Sequence, residues 1–240
     1  MLDSLDLALR TEYILDSGPF YNEFCHDQLV KEPWNAYSSL VFFIPIVFWL
    51  IKLRGSYKKH WVILLLLPFL FLNGLGSTLY HAFRSSEYFL WMDFMPANLM
   101  SIILSAFFWQ LILNSWTKSI GLVSVFYLIG FLLIQLSYQL FPNHQMGPNI
   151  GYMIVGVSYF LPILIFLLRN KWFKVKFVLF SLLFLGLALL FRVLDYPSPN
   201  LFHSFLPQGT HFLWHVFSVG AVFSMGYFVY FINLMAKEDV

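Results

Sequence analysis

Long apolar runs separated by short polar clusters make up most of the chain. Set against the Pro, Gly and charged breakers, they predict helices near residues 36–53, 61–83, 89–113, 119–141, 149–169, 173–193 and 210–234. Each run is close to the ~20 mainly apolar residues that cross a bilayer as a helix. The expected fold class is therefore all-α, a polytopic membrane protein built as a seven-transmembrane-helix bundle. The pattern divides the chain into an acidic N-terminal segment over residues 1–35, a membrane domain over 36–234 and a short tail over 235–240. The N-terminal segment and the Pro-rich connection 194–209 are the longest stretches without an apolar run, which suits lids or ligand-bearing loops.

Composition narrows the class further. Of 240 residues, 60% are hydrophobic and 11% charged, whereas an ordinary soluble domain carries roughly 25% charged residues. A soluble globular enzyme is excluded, and no separate soluble domain fits beside seven spans. The net charge of +2 is small and dispersed, which speaks against a nucleic-acid partner. The single cysteine, Cys25, rules out an internal disulfide and a Cys-rich cluster, so metal ligands would have to be His and carboxylate. The opening Met-Leu-Asp-Ser-Leu-Asp lacks a basic leader, so the first span is expected to be its own insertion signal. Ten of the 14 Lys and Arg fall in the loops after spans one, three and five and in the tail. By the positive-inside rule the N-terminus is expected outside or in the lumen and the C-terminus in the cytoplasm.

An ionisable side chain inside a span is costly and by default marks a site, so residues that share a depth matter most. The second span ends in Asn73-Gly-Leu-Gly-Ser77-Thr-Leu-Tyr-His81, where residues 73, 77 and 81 are four apart on one helix face. The third span starts at the same membrane face with Asp93 about one turn inside, and the seventh starts there with His211-Phe-Leu-Trp-His215. Three histidines, a serine and an aspartate thus converge. Two imidazoles at i and i+4 plus a third from a neighbouring helix offer three nitrogens to one tetrahedral Zn²⁺ and leave a fourth position for water. Zinc brings the pKa of bound water towards neutrality. Asp93 is placed to orient that water or take its proton, and Ser77 to donate to a developing oxyanion.

Plainer readings compete with this one. A lone histidine at a helix end often makes a structural hydrogen bond or sits at the interface, and Asn73 and Ser77 are of the small polar kind that packs spans together. Three such histidines at one depth fit that account poorly. Haem ligation would use two facing histidines and leave Asp93 without a role. Arg192 and Asp195, three apart at the end of the sixth span, read as a local ion pair. His26, His144 and His203 in the outer loops, with His60 at the opposite face, read as surface histidines, and Trp and Tyr near span ends as an interfacial belt.

Four segments carry a resemblance: Glu32-Pro-Trp-Asn35, Gly76-Ser-Thr-Leu-Tyr-His81, Asp93 with Pro96, and His211-Phe-Leu-Trp-His215. In order, spacing and span position the chain resembles the alkaline ceramidase family, within the wider heptahelical group that includes adiponectin-receptor-like proteins. The resemblance implies zinc ligation by His81, His211 and His215, with Ser77 and Asp93 completing a catalytic site. Asp195 falls where the family tends to have an Asp, while Arg192 replaces an expected aromatic. The family's acidic N-terminal segment, resembling Asp-Trp-Cys-Glu, binds calcium together with the Glu of the span-one motif. The match here is partial, with Glu32 at the motif position, Asp16, Asn22 and Glu23 as oxygen donors, and Phe-Cys-His-Asp around Cys25.

The function expected on these grounds is zinc-dependent intramembrane amidohydrolysis. Its substrate would be ceramide or a similar membrane lipid amide, cleaved to a fatty acid and a sphingoid-type amine. The alternative is a receptor-like or lipid-binding seven-helix protein with a structural zinc site. Retention of Ser77 and Asp93 beside the histidines favours an enzyme, since a structural site is more often closed by a fourth protein ligand. A transporter would carry ionisable residues near the bilayer midplane, whereas these lie at helix ends.

Overall fold

The computed structural model describes residues 12–140, 146–195 and 201–235, and regular structure among them is helical. Helix α1 (Pro33–Lys52) runs as α-helix to Ser39, tightens into a 3-10 turn at Leu40–Phe42 and resumes at Phe43. Pro45 accounts for the tightening, because it has no N–H to give the Val41 carbonyl and its ring crowds that oxygen. There follow α2 (Trp61–Phe83), α3 (Glu87–Leu113), α4 (Trp116–Leu140), α5 (Met146–Arg169), α6 (Val175–Leu194) and α7 (His211–Met235). Six of these, all but α5, are long and apolar enough to cross a membrane, and α5 contributes a shorter apolar stretch, Met153–Arg169. The chain is a multi-pass helical membrane protein.

The residues gather into two compact units, one of them Asn98–Phe173. In it α4 lies along α5, around a core of Ala106, Trp109 and Val123 with Ile102, Phe126 and Leu161 packed on it. The buried Ser105 hydroxyl donates to the Ser158 carbonyl at 2.5 Å, so its polarity is satisfied within the apolar packing.

The other unit comprises Met1–Ala97 and Lys174–Val240. Here α6 lies along α7, and α1 packs against α2 and α7. Phe177 stacks on Tyr227 and Phe191 on Phe217, with centroids 5.6 and 5.4 Å apart. Gly76 lets α2 touch α3 backbone to backbone, since a Cβ there would collide with the Met92 carbonyl and the Asp93 nitrogen. Helix α2 stops at Arg84, which takes the left-handed conformation at φ 51°. The final carbonyls of a helix have no partner within it, and the N-terminal segment supplies donors. Glu32 N–H donates to His81 O at 3.0 Å, Lys31 N–H to Ala82 O at 2.8 Å and Leu15 N–H to Arg84 O at 2.8 Å. Residues 15–32 are thereby strapped across the end of α2 that carries His81.

One expectation is overturned at the opposite end of α2. His60 is not a surface histidine: it is 1% exposed and lies flat on the Tyr230 ring, 4.7 Å between centroids. Stacking on α7 covers one ring face, and the packing around it leaves almost none of the side chain to water. His26 pairs with Asp27 at 3.0 Å and His203 is exposed, while His144 lies outside the described residues.

Candidate metal centre

The helix ends that bear the candidate ligands are held by carboxylates from distant loops. Pro33, at the first turn of α1, has no N–H, and the next two donors, Trp34 N–H and Asn35 N–H, give hydrogen bonds to Glu23 at 2.8 and 2.9 Å. At α7, Asp195 Oδ1 accepts from Thr210 N–H at 2.6 Å and His211 N–H at 3.1 Å. Gly209, at φ +84°, makes room for that carboxylate, which a Cβ would strike. Asp195 also accepts from Asn22 N–H at 3.2 Å, tying the N-terminal strap to α7. Burial pushes the Glu23 carboxyl up to about 7, against the pull of its two N–H donors. Burial likewise raises Asp195, against its backbone donors.

These supports bring the three histidines together. His81, His211 and His215 are 0%, 3% and 1% exposed, and their candidate ligand atoms lie within 4.8 Å of one another. His81 Nδ1 stands 2.5 Å from Glu32 Oε2, so the carboxylate accepts a hydrogen bond from Nδ1–H and Nε2 presents its lone pair. A histidine oriented by a carboxylate in this way is the usual arrangement behind a metal. His215 Nδ1 lies 2.8 Å from Ser38 Oγ, and Ser38 has Asn35 O at 3.0 Å to receive its own proton. His215 therefore donates from Nδ1, and Nε2 keeps its lone pair. Buried His81 Nε2 and His211 Nδ1 have no hydrogen-bond partner among the described residues. An orphaned buried polar atom costs roughly 1–3 kcal/mol, and one cation held by the three rings would relieve both. The donor set fits zinc.

Ser77 and Asp93 join this cluster. Ser77 Oγ is 3.4 Å from His215 Nε2 and 2.9 Å from Ser39 Oγ, and its hydroxyl reaches the Asp93 carboxyl. Asn73, on the same stripe of α2, donates from its amide to the Asp93 carbonyl, which pins the first turns of α3 beside α2.

The residues expected to share calcium are placed otherwise. Asp16 and Glu32 both bind the Arg84 guanidinium, Glu32 also holds His81, Glu23 caps α1, and Asn22 is bound to Asp195. Each of the four is thus engaged within the protein, and among the described residues the histidine triad is the group of such side chains close enough together to hold a metal ion. Asp195 acts as a helix cap, and the Arg192 guanidinium lies over the Trp214 ring at 5.1 Å.

No family model and no curated protein sequence matches the chain.

Four residues of the centre escaped the sequence reading. Ser38 and Ser39 stand one turn inside α1 beside Asn35, a small polar step in an apolar span that could have marked a second lining helix. Arg84, three residues after His81, carried the signal of a cation at a helix end. Tyr21 had none: its ring lies 4.0 Å from that of His211 and 5.1 Å from that of His81, covering the histidines from the strap.

Proposed function

We propose that the chain is a zinc-dependent intramembrane amidohydrolase that cleaves the N-acyl bond of ceramide or a similar lipid amide to a fatty acid and a sphingoid-type amine. The supporting observation is the buried triad His81, His211 and His215, with His81 Nε2 and His211 Nδ1 orphaned, beside a hydroxyl and a carboxyl. His81, His211 and His215 would hold the ion, which when bound supplies Lewis acidity and a water acidified towards neutral pH. Asp93 accepts the proton of the attacking water and returns it to the leaving nitrogen. Ser77 donates to the oxygen on which negative charge develops. Water adds across the C–N bond, giving acid and amine. In this reading the seven helices all cross the bilayer, with the N-terminus outside or luminal and the C-terminus cytoplasmic, and the substrate comes from the surrounding lipid.

The test is hydrolysis of an N-acyl sphingoid by purified protein, wild type against Asp93→Ala, with bound metal measured in both. Asp93→Ala is expected to keep its metal and lose turnover by about 100-fold or more. Full turnover in that variant contradicts the role given to Asp93. Metal bound by both proteins without turnover in either would favour a lipid-binding protein with a structural ion.

A further inference from the structure

The carboxylates beside the histidines are organised around a side chain. We propose that the Arg84 guanidinium is the resident cation of this cluster, in place of a divalent ion, and that it is the positioning residue that holds Glu32 on His81. The second half rests on the reading of the histidines as metal ligands; the first half does not.

Arg84 is 0% exposed, so its charge depends wholly on protein partners. Nε and Nη2 each donate to an Asp16 oxygen, at 2.9 and 2.8 Å, while Nη1 donates to Glu32 Oε1 and Nη2 also reaches Pro19 O at 3.1 Å. The Tyr80 ring flanks the guanidinium at 4.7 Å and the Tyr21 ring at 5.6 Å. Carboxylates meet the edges of the planar fork and aromatic rings flank it, a setting that suits arginine and that a spherical ion does not need. Calcium takes six to eight oxygens. Here both Asp16 oxygens and one Glu32 oxygen accept from Arg84, the other Glu32 oxygen faces His81 and Asn35, and both Glu23 oxygens accept from α1, so calcium would have to compete with every one of these donors. A divalent ion entering the cluster would also face the guanidinium charge.

The backbone holds Arg84 in place. Its N–H closes α2 on Tyr80 O at 2.9 Å and its carbonyl accepts from Leu15 N–H at 2.8 Å. The chain from Asp16 through Arg84 and Glu32 to His81 is therefore continuous.

Two arms test this on the full-length protein in detergent. In the first, Ca²⁺ alone is titrated calorimetrically into wild type dialysed free of calcium, and thermal unfolding is followed in parallel. No saturable binding and no rise in Tm up to millimolar Ca²⁺ are expected; one Ca²⁺ bound per chain with a raised Tm would overturn the resident-cation role. In the second, zinc affinity is measured by competition with a chromophoric chelator. Arg84→Gln is expected to weaken zinc by about 10- to 100-fold, the range for loss of an outer-shell partner, and Arg84→Lys to recover part of it. If Arg84→Gln does not fold, Arg84→Lys decides, with an intermediate loss expected. Wild-type zinc affinity in the folded variant overturns the positioning role. Wild type that binds no zinc ends both the metal reading and that role, while the calcium arm still decides the first half.

Discussion

Helix α2 carries a buried histidine at each end, and the two are built for different ends. His60 lies flat on Tyr230, and its Nδ1 has no hydrogen-bond partner among the described residues. Burial, reinforced by Lys59, lowers its pKa. His81 is equally buried and also carries an orphaned nitrogen, but its other nitrogen is fixed by Glu32 and its ring belongs to one group with His211 and His215. A buried, unpaired imidazole nitrogen is therefore compatible with simple packing. What distinguishes a ligand is a fixed tautomer and other donors converging on the same point.

That contrast breaks most visibly in paired substitutions of the two residues. His81→Ala is expected to abolish lipid-amide hydrolysis, whereas His60→Phe, which keeps a ring against Tyr230 and removes the orphaned nitrogen, should leave turnover at wild-type level. Loss of turnover in His60→Phe would show that burial alone, at either end, matters to the chemistry.

A smaller effect is expected where the site is held rather than formed. Asp195→Ala removes the acceptor for Thr210 and His211 N–H and should cost about 1–2 kcal/mol of stability, as loss of a helix cap does. Asp195→Asn, which keeps a side-chain oxygen, should recover most of it in thermal unfolding. An unchanged Tm in Asp195→Ala would mean that α7 begins correctly without this anchor.

The smallest effect sharpens the comparison through pH. Glu23, raised from 4.5 to about 7 by burial, binds its proton more readily folded than unfolded, so its contribution to stability falls as pH rises through that window. His60, lowered from 6.5, holds its proton less readily when folded, so its contribution falls as pH drops below 6.5. Glu23→Gln and His60→Phe should therefore alter the slope of Tm against pH in opposite directions. Changes of the same sign would contradict one of the two environments.

The helices and the histidines were legible because both follow from local periodicity. Apolar runs set against breakers located the helices to within three residues at every end, and spacings of four put Ser77 with His81 and His211 with His215. Asp93 followed from span direction. What escaped was long-range pairing between segments without a repeat. Arg84 meets Asp16 across 68 residues and His60 meets Tyr230 across most of the chain, and neither partner advertises the other. Glu23 and Asn22 carried the right atoms for calcium, but an oxygen donor serves equally to cap a helix, and only the folded strap decides which.

The most direct test of the central claim is elemental analysis of zinc in extensively washed, detergent-purified wild type, His81→Ala and His60→Phe. The account predicts about one zinc per chain in wild type and in His60→Phe, consistent with one three-histidine site, and none in folded His81→Ala. Equal zinc in all three folded proteins, or none in wild type supplied with zinc, would contradict it.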